Sequence, residues 1–91
     1  METERLLEII KEIDEEEKYF GIIPMYPVFN RAKSIYELTV KEFHTLLLNL
    51  ENDHIIYLET INDFGRLSID EKNTAIYDQV RGYLYYIGLW K

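Results

Sequence analysis

His44 and His54 are the residues best suited to metal or proton chemistry in this chain, and no cysteine accompanies them. A zinc or transition-metal site would have to be completed by carboxylates. The spacing opposes it. His44 is followed by Thr-Leu-Leu-Leu, so no second histidine lies one helical turn away, and His54 adjoins Asp53 at a helix end, where a cation complements the dipole. Both are read as surface histidines. Asp63-Phe64-Gly65 has the form of the magnesium-binding tripeptide of protein kinases, yet 91 residues cannot hold that fold, and neither a glycine-rich loop nor a His-Arg-Asp stretch is present. A calcium loop beginning at Thr60 would place Gly65 and Glu71 correctly, but it would put Thr60 and Phe64 where oxygen-rich ligands are needed.

The remaining chemistry-bearing types are no better arranged. Gly21, Gly65, Gly82 and Gly88 are scattered, so they make no phosphate cradle. Ser34 and Ser68 fall in helix and cap contexts without the strained elbow that presents a nucleophile. Carboxylate pairs for acid-base work would need a concave apolar pocket, whereas the acids gather on one solvated helix. A non-enzymatic protein is expected, with no catalytic residues, no metal and no small-molecule cofactor.

The elements that must position any site come from composition and periodicity. At 91 residues, 47% hydrophobic and 30% charged, the chain is one globular domain spanning 1–91. The lack of cysteine, of a signal-like amino terminus and of a membrane-length apolar run points to a cytoplasmic protein with no membrane partner. The net charge of −7 is uneven: residues 1–18 hold eight acids against three bases, a local −5 that leaves −2 for the rest. The body of the domain therefore lacks the basic signature of an obvious nucleic-acid binder.

Leu6, Ile9, Ile10 and Ile13 form one apolar stripe, giving an acidic amphipathic helix one within 1–20, with Gly21 as a stop shortly beyond it. Leu7 widens the stripe, enough for two contact surfaces. The two prolines in 22–27 predict an extended connector. Val28, Phe29, Ala32, Ile35 and Tyr36 predict a short second helix from 28 to about 35. Thr39-Val40-Lys41-Glu42 has capping-box form and starts helix three, over 40–52, whose buried stripe is Phe43, Leu46, Leu47 and Leu50. Residues 55–60 read as a strand, 68–71 as a second capping box opening a short helix, and 82–90 as the partner strand.

Helix, connector, helix, three-residue turn at Glu37 to Thr39, helix, strand, long connection, strand: this order resembles the winged-helix domain. The likeness is carried by Val28-Phe-Asn-Arg-Ala-Lys-Ser-Ile, Leu38-Thr-Val-Lys-Glu-Phe-His-Thr-Leu-Leu-Leu-Asn-Leu and Ile55-Ile-Tyr-Leu, and covers about residues 22–90. It implies an α+β, winged-helix-like domain with a helix-turn-helix over 28–52 and wing strands over 55–90. Three helices then precede a two- or three-stranded antiparallel sheet, with a short helix in the wing connection.

The resemblance also implies duplex DNA as a partner, with helix 40–52 in the major groove and the 61–81 wing on the backbone. The DNA-facing residues would be Lys41, Thr45, Leu48, Asn49 and Asn52, with Arg66, Lys72 and Arg81 near phosphates, and acidic helix one far from the duplex. The sequence departs from that role, since helix three has one full positive charge and carries Glu42 and Glu51, and the wing connection is acidic.

A protein-binding role reads more directly from the last strand. By simple alternation Tyr83, Tyr85, Ile87 and Leu89 share one face, and Leu84, Tyr86 and Trp90 the other, so both faces are apolar. One of them must be covered by helix one, by the 22–27 connector, which could add a third strand and close the surface within the chain, or by another subunit. A self-associating protein-interaction module, a homodimer acting through Leu7, Tyr83, Tyr85, Ile87 and Trp90, is the first expectation. A DNA-binding transcriptional regulator is the second.

Overall fold

The computed structural model describes residues 1–90. Helix α1 (Thr3–Glu17) buries Leu6, Ile9, Ile10 and Ile13, the stripe read from the sequence. It ends when Lys18 turns left-handed at φ 56° and donates its amide to Asp14 O, three residues ahead of the expected glycine stop. Gly21 serves the connection instead, its amide bonded to the Asp14 carboxylate at 2.9 Å.

Only part of the proline-bearing connector is extended. Strand β1 is Ile22–Pro24, and helix α2 (Met25–Tyr36) starts directly behind it, three residues earlier than its apolar spacing predicts. Pro24 sits at the cap, and Pro27 lies in the first turn, where a backbone amide has no helical partner to lose. Position within the helix, not the presence of proline, decided the boundary.

Helix α3 (Val40–Asn52) begins at the capping box: the Glu42 amide donates to the Thr39 hydroxyl at 3.1 Å, and the Thr39 amide donates to the Glu42 carboxylate at 3.1 Å. A second box, Ser68 with Glu71, opens helix α4 (Ile69–Thr74) inside the wing connection, after a 3-10 turn at Phe64–Arg66.

The remaining strands are β2 (Ile56–Thr60), β3 (Ile76–Asp78) and β4 (Gly82–Leu89), and every pairing is antiparallel to β4. Ile87 pairs with both Ile23 and Leu58, and Leu84 with both Thr60 and Ile76. Strands β1 and β3 therefore lie end to end along one edge of β4, with β2 along the other. The connector does join the sheet as a third strand along the edge of β4, and β3 adds a fourth.

A register shift changes which side chains face the core. Glu59 pairs with Tyr86 but Thr60 with Leu84, so Tyr85 is an extra residue in β4, a β-bulge. The slip breaks simple alternation: Leu84 and Ile87 are buried on the inner side, Tyr85 is turned inward with them, and Tyr83 and Trp90 remain exposed. Helices α1 to α3 cover that inner side, and one core runs from Leu6, Ile9 and Ile10 through Phe43 and Leu47 to Ile23, Leu84 and Ile87. The result is an α+β, winged-helix-like arrangement. No helix among the described residues is long and apolar enough to cross a membrane.

Candidate functional site

The outer face of the sheet is a run of aromatic rings. Beyond the bulge, the outward positions of β4 are Tyr86, Gly88 and Trp90, and before it Tyr83. Their registered neighbours are Pro24 and Glu59 beside Tyr86, Ile22 and Tyr57 beside Gly88, and Tyr77 beside Tyr83. A Cβ placed on Gly88 would overlap the ring of Tyr57, so glycine is required there to let that ring lie flat on the backbone. Tyr57 in turn packs against Trp90 at 4.6 Å between centroids. At the opposite end Phe64 stacks on Tyr83 at 3.8 Å and 11°, Tyr77 tilts against Tyr83 at 5.1 Å, and the Lys72 ammonium lies 5.7 Å from the Phe64 centroid. Tyr57 and Phe64 are half-buried by these contacts, whereas Tyr77 is 63% exposed, Tyr83 42% and Trp90 64%.

Tyr85 and Ile87, both expected at a protein interface, are instead buried in the chain's own core, because the bulge aims them inward. The Tyr85 hydroxyl lies 3.5 Å from the Glu71 carboxylate, and burial, reinforced by that carboxylate, pushes its phenol well above the ordinary range. Leu7 is half-buried against the core. Of the five residues expected at an interface, Tyr83 and Trp90 stand on an open surface. Tyr57, Phe64 and Tyr77 belong with them but escape a sequence reading, because they come from separate elements that only the sheet assembles.

The exposed side of α3 forms a second surface. Lys41, Thr45, Leu48, Asn49 and Asn52 are all exposed along it, Leu48 at 40%. Thr45 returns its hydroxyl to Lys41 O at 3.0 Å. Arg81 is not free for a phosphate: it forms a bidentate pair with Glu51 at 2.8 and 3.0 Å and approaches Asp78 at 3.5 Å. Glu51 also accepts the Leu58 amide at 3.0 Å, so one carboxylate ties the end of α3 to β2 and to the β3–β4 hairpin. The Arg81 guanidinium, helped by the Leu58 amide, holds the Glu51 carboxyl below its usual range against the pull of partial burial. Sequence reasoning missed this clamp because its partners lie thirty residues apart.

Helix α1 is not remote from this surface. Met1 shares a shallow groove with Leu38, Lys41, Glu42, Thr45 and Leu46. The Glu42 carboxyl is held low by the Thr39 amide and hydroxyl, and the terminal ammonium adds to the effect.

An open groove of about 680 Å³ lies between α2 and α4, with Tyr26, Phe29, Leu38 and Val40 among its lining. The hydroxyls on its wall serve the fold, that of Thr39 in the capping box and that of Thr74 bonded to Glu71 O at 2.7 Å. His44 is half-buried rather than on the surface, and one ring nitrogen meets the Thr74 carbonyl at 2.9 Å, which fixes it as a link between α3 and α4. No three His, Asp or Glu side chains among the described residues converge as metal ligands would. The chain matches no protein family, no curated protein and no solved structure in comparison.

Proposed function

We propose that the protein is a non-enzymatic, winged-helix-like binding module that works through protein contacts and associates with a second copy of itself. The observation that carries this reading is the uncovered aromatic face of the sheet, where tyrosine, phenylalanine and tryptophan provide the large, stiff contact area that protein interfaces favour. The charge distribution supports it as well, because the acids concentrate on α1 and the outer sheet face has Glu59 as the one acid in its registered rows. Sedimentation equilibrium at micromolar concentration tests it. A species of twice the 11.0 kDa chain mass is expected, and a single 11.0 kDa species overturns the reading.

A second reading, duplex DNA binding through α3, is favoured by the exposed stripe of Lys41, Thr45, Leu48, Asn49 and Asn52. With Arg81 paired, the bases remaining on that reading are Lys41, Arg66 and Lys72. The log–log salt slope of binding would then be no steeper than roughly −3 per chain, at about −0.9 per neutralised phosphate. Absence of binding to mixed-sequence duplex at low salt removes this reading.

A further inference from the structure

Resting on the self-association just proposed, we infer that the second copy docks sheet face to sheet face, with the two β4 strands antiparallel and Glu59 of each copy opposite Arg66 of the other. Area requires contact along the whole face. An aromatic side chain carries about 150–250 Å² of buriable surface, so the exposed parts of Tyr77, Tyr83 and Trp90 supply roughly 250–400 Å². A stable interface takes about 800 Å² from each partner. Both ends together reach at most about half of that, so the contact must cover the Trp90–Tyr57 end and the Tyr77–Tyr83–Phe64 end and also take in exposed neighbours such as Ile22 and Glu59.

A homodimer of this kind is isologous, so the two-fold axis must map the face onto itself. An axis running across the strands sets each end on the opposite end of the partner, and the distinct aromatic pairs interleave. An axis along the strands would set Trp90 against Trp90 and Glu59 near Pro24, leaving its carboxylate buried without a partner.

Charge agrees with the first choice. Two copies that each carry −7 repel, and the contact must cross where charge is sparse. Glu59 lies beside Tyr86 at the middle of the face. Arg66 lines the groove between Tyr86 and the 60–67 loop, with Asp63 beside it. Of the four arginines, Arg5, Arg31 and Arg81 each hold a carboxylate, while Arg66 holds none among the described residues. The antiparallel arrangement brings Glu59 of one copy to the side of the face where the other carries Arg66, and supplies the missing partner.

Two measurements test the geometry, both on the full chain. In sedimentation, Glu59→Arg and Arg66→Glu should each weaken the dimer about tenfold or more, and the double reversal should restore it to within about threefold. Circular dichroism melts verify that these exposed substitutions leave the fold intact. The absence of native cysteine allows a second test with a short thiol cross-linker. Trp90→Cys mixed with Tyr77→Cys should give cross-linked dimers, whereas Trp90→Cys alone should not. A dimer indifferent to both charge reversals, or one in which Trp90→Cys links to itself, overturns the antiparallel geometry while leaving self-association standing. A monomeric wild-type chain overturns both.

Discussion

Replacing Gly88 with alanine tests the way the outer face is built. The new methyl would occupy the volume now held by the Tyr57 ring, which lies over the Gly88 backbone. The neighbouring atoms are ring carbons rather than backbone, so the ring must swing away, and in doing so it loses its 4.6 Å contact with Trp90. Overpacking of this kind costs about 1–3 kcal/mol. Loss of the aromatic pair accounts for about 0.5–1.5 kcal/mol of such a cost. For a domain of this size each 1 kcal/mol lowers Tm by roughly 4–8 °C.

Thermal and urea unfolding at one fixed protein concentration measure the loss, since association would itself shift the midpoint. Trp90, the sole tryptophan, reports by its fluorescence whether Tyr57 has left it. The Tyr57→Ala background supplies the control: with the ring gone, the added methyl meets open space, and Gly88→Ala should cost much less there than in the wild-type chain. Equal costs in the two backgrounds, or a Gly88→Ala protein as stable as wild type with unchanged fluorescence, would refute the account of this glycine.

Three further outcomes follow from the structure. Phe43→Ala should destabilise by about 3–5 kcal/mol in urea titration, because the ring is fully buried and packs on Phe29 at 5.3 Å. Thr39→Ala should cost about 1 kcal/mol and fray the start of α3, visible as faster amide exchange at Glu42 and Phe43, since it removes the cap hydroxyl that receives the Glu42 amide. Glu51 has a folded carboxyl pKa below its unfolded value, so its contribution is fully present above the unfolded pKa and is lost as pH falls through the folded one. Glu51→Gln should therefore reduce stability near neutrality and flatten the acid limb of a stability-against-pH curve, and an unchanged acid limb would show that the Arg81 clamp contributes nothing.

Local signals in the sequence carried the helices. The stripe Leu6, Ile9, Ile10, Ile13 and the boxes Thr39–Glu42 and Ser68–Glu71 act within one or two turns, so residue spacing alone placed α1, α3 and α4. Where a residue's meaning depends on its depth in an element, spacing was a poorer guide: Pro27 reads as a helix breaker until the fold places it in a first turn.

The candidate surface needed more than that. Trp90 and Tyr83 were legible as apolar residues on a strand, but which face they occupy depends on the bulge at Tyr85, a one-residue slip that reverses every position on one side of it relative to the other. That slip is set by pairing with Ile76, Thr60 and Pro24, partners drawn from three other segments of the chain. Likewise Arg81 reads as a free base until folding brings Glu51 within 2.8 Å of it. The sequence by itself determined the helices and the stock of apolar side chains, because those follow from contacts between near neighbours. Only the tertiary structure decided which aromatics face outward and which charges are spent on the fold, because both depend on pairings between residues far apart along the chain.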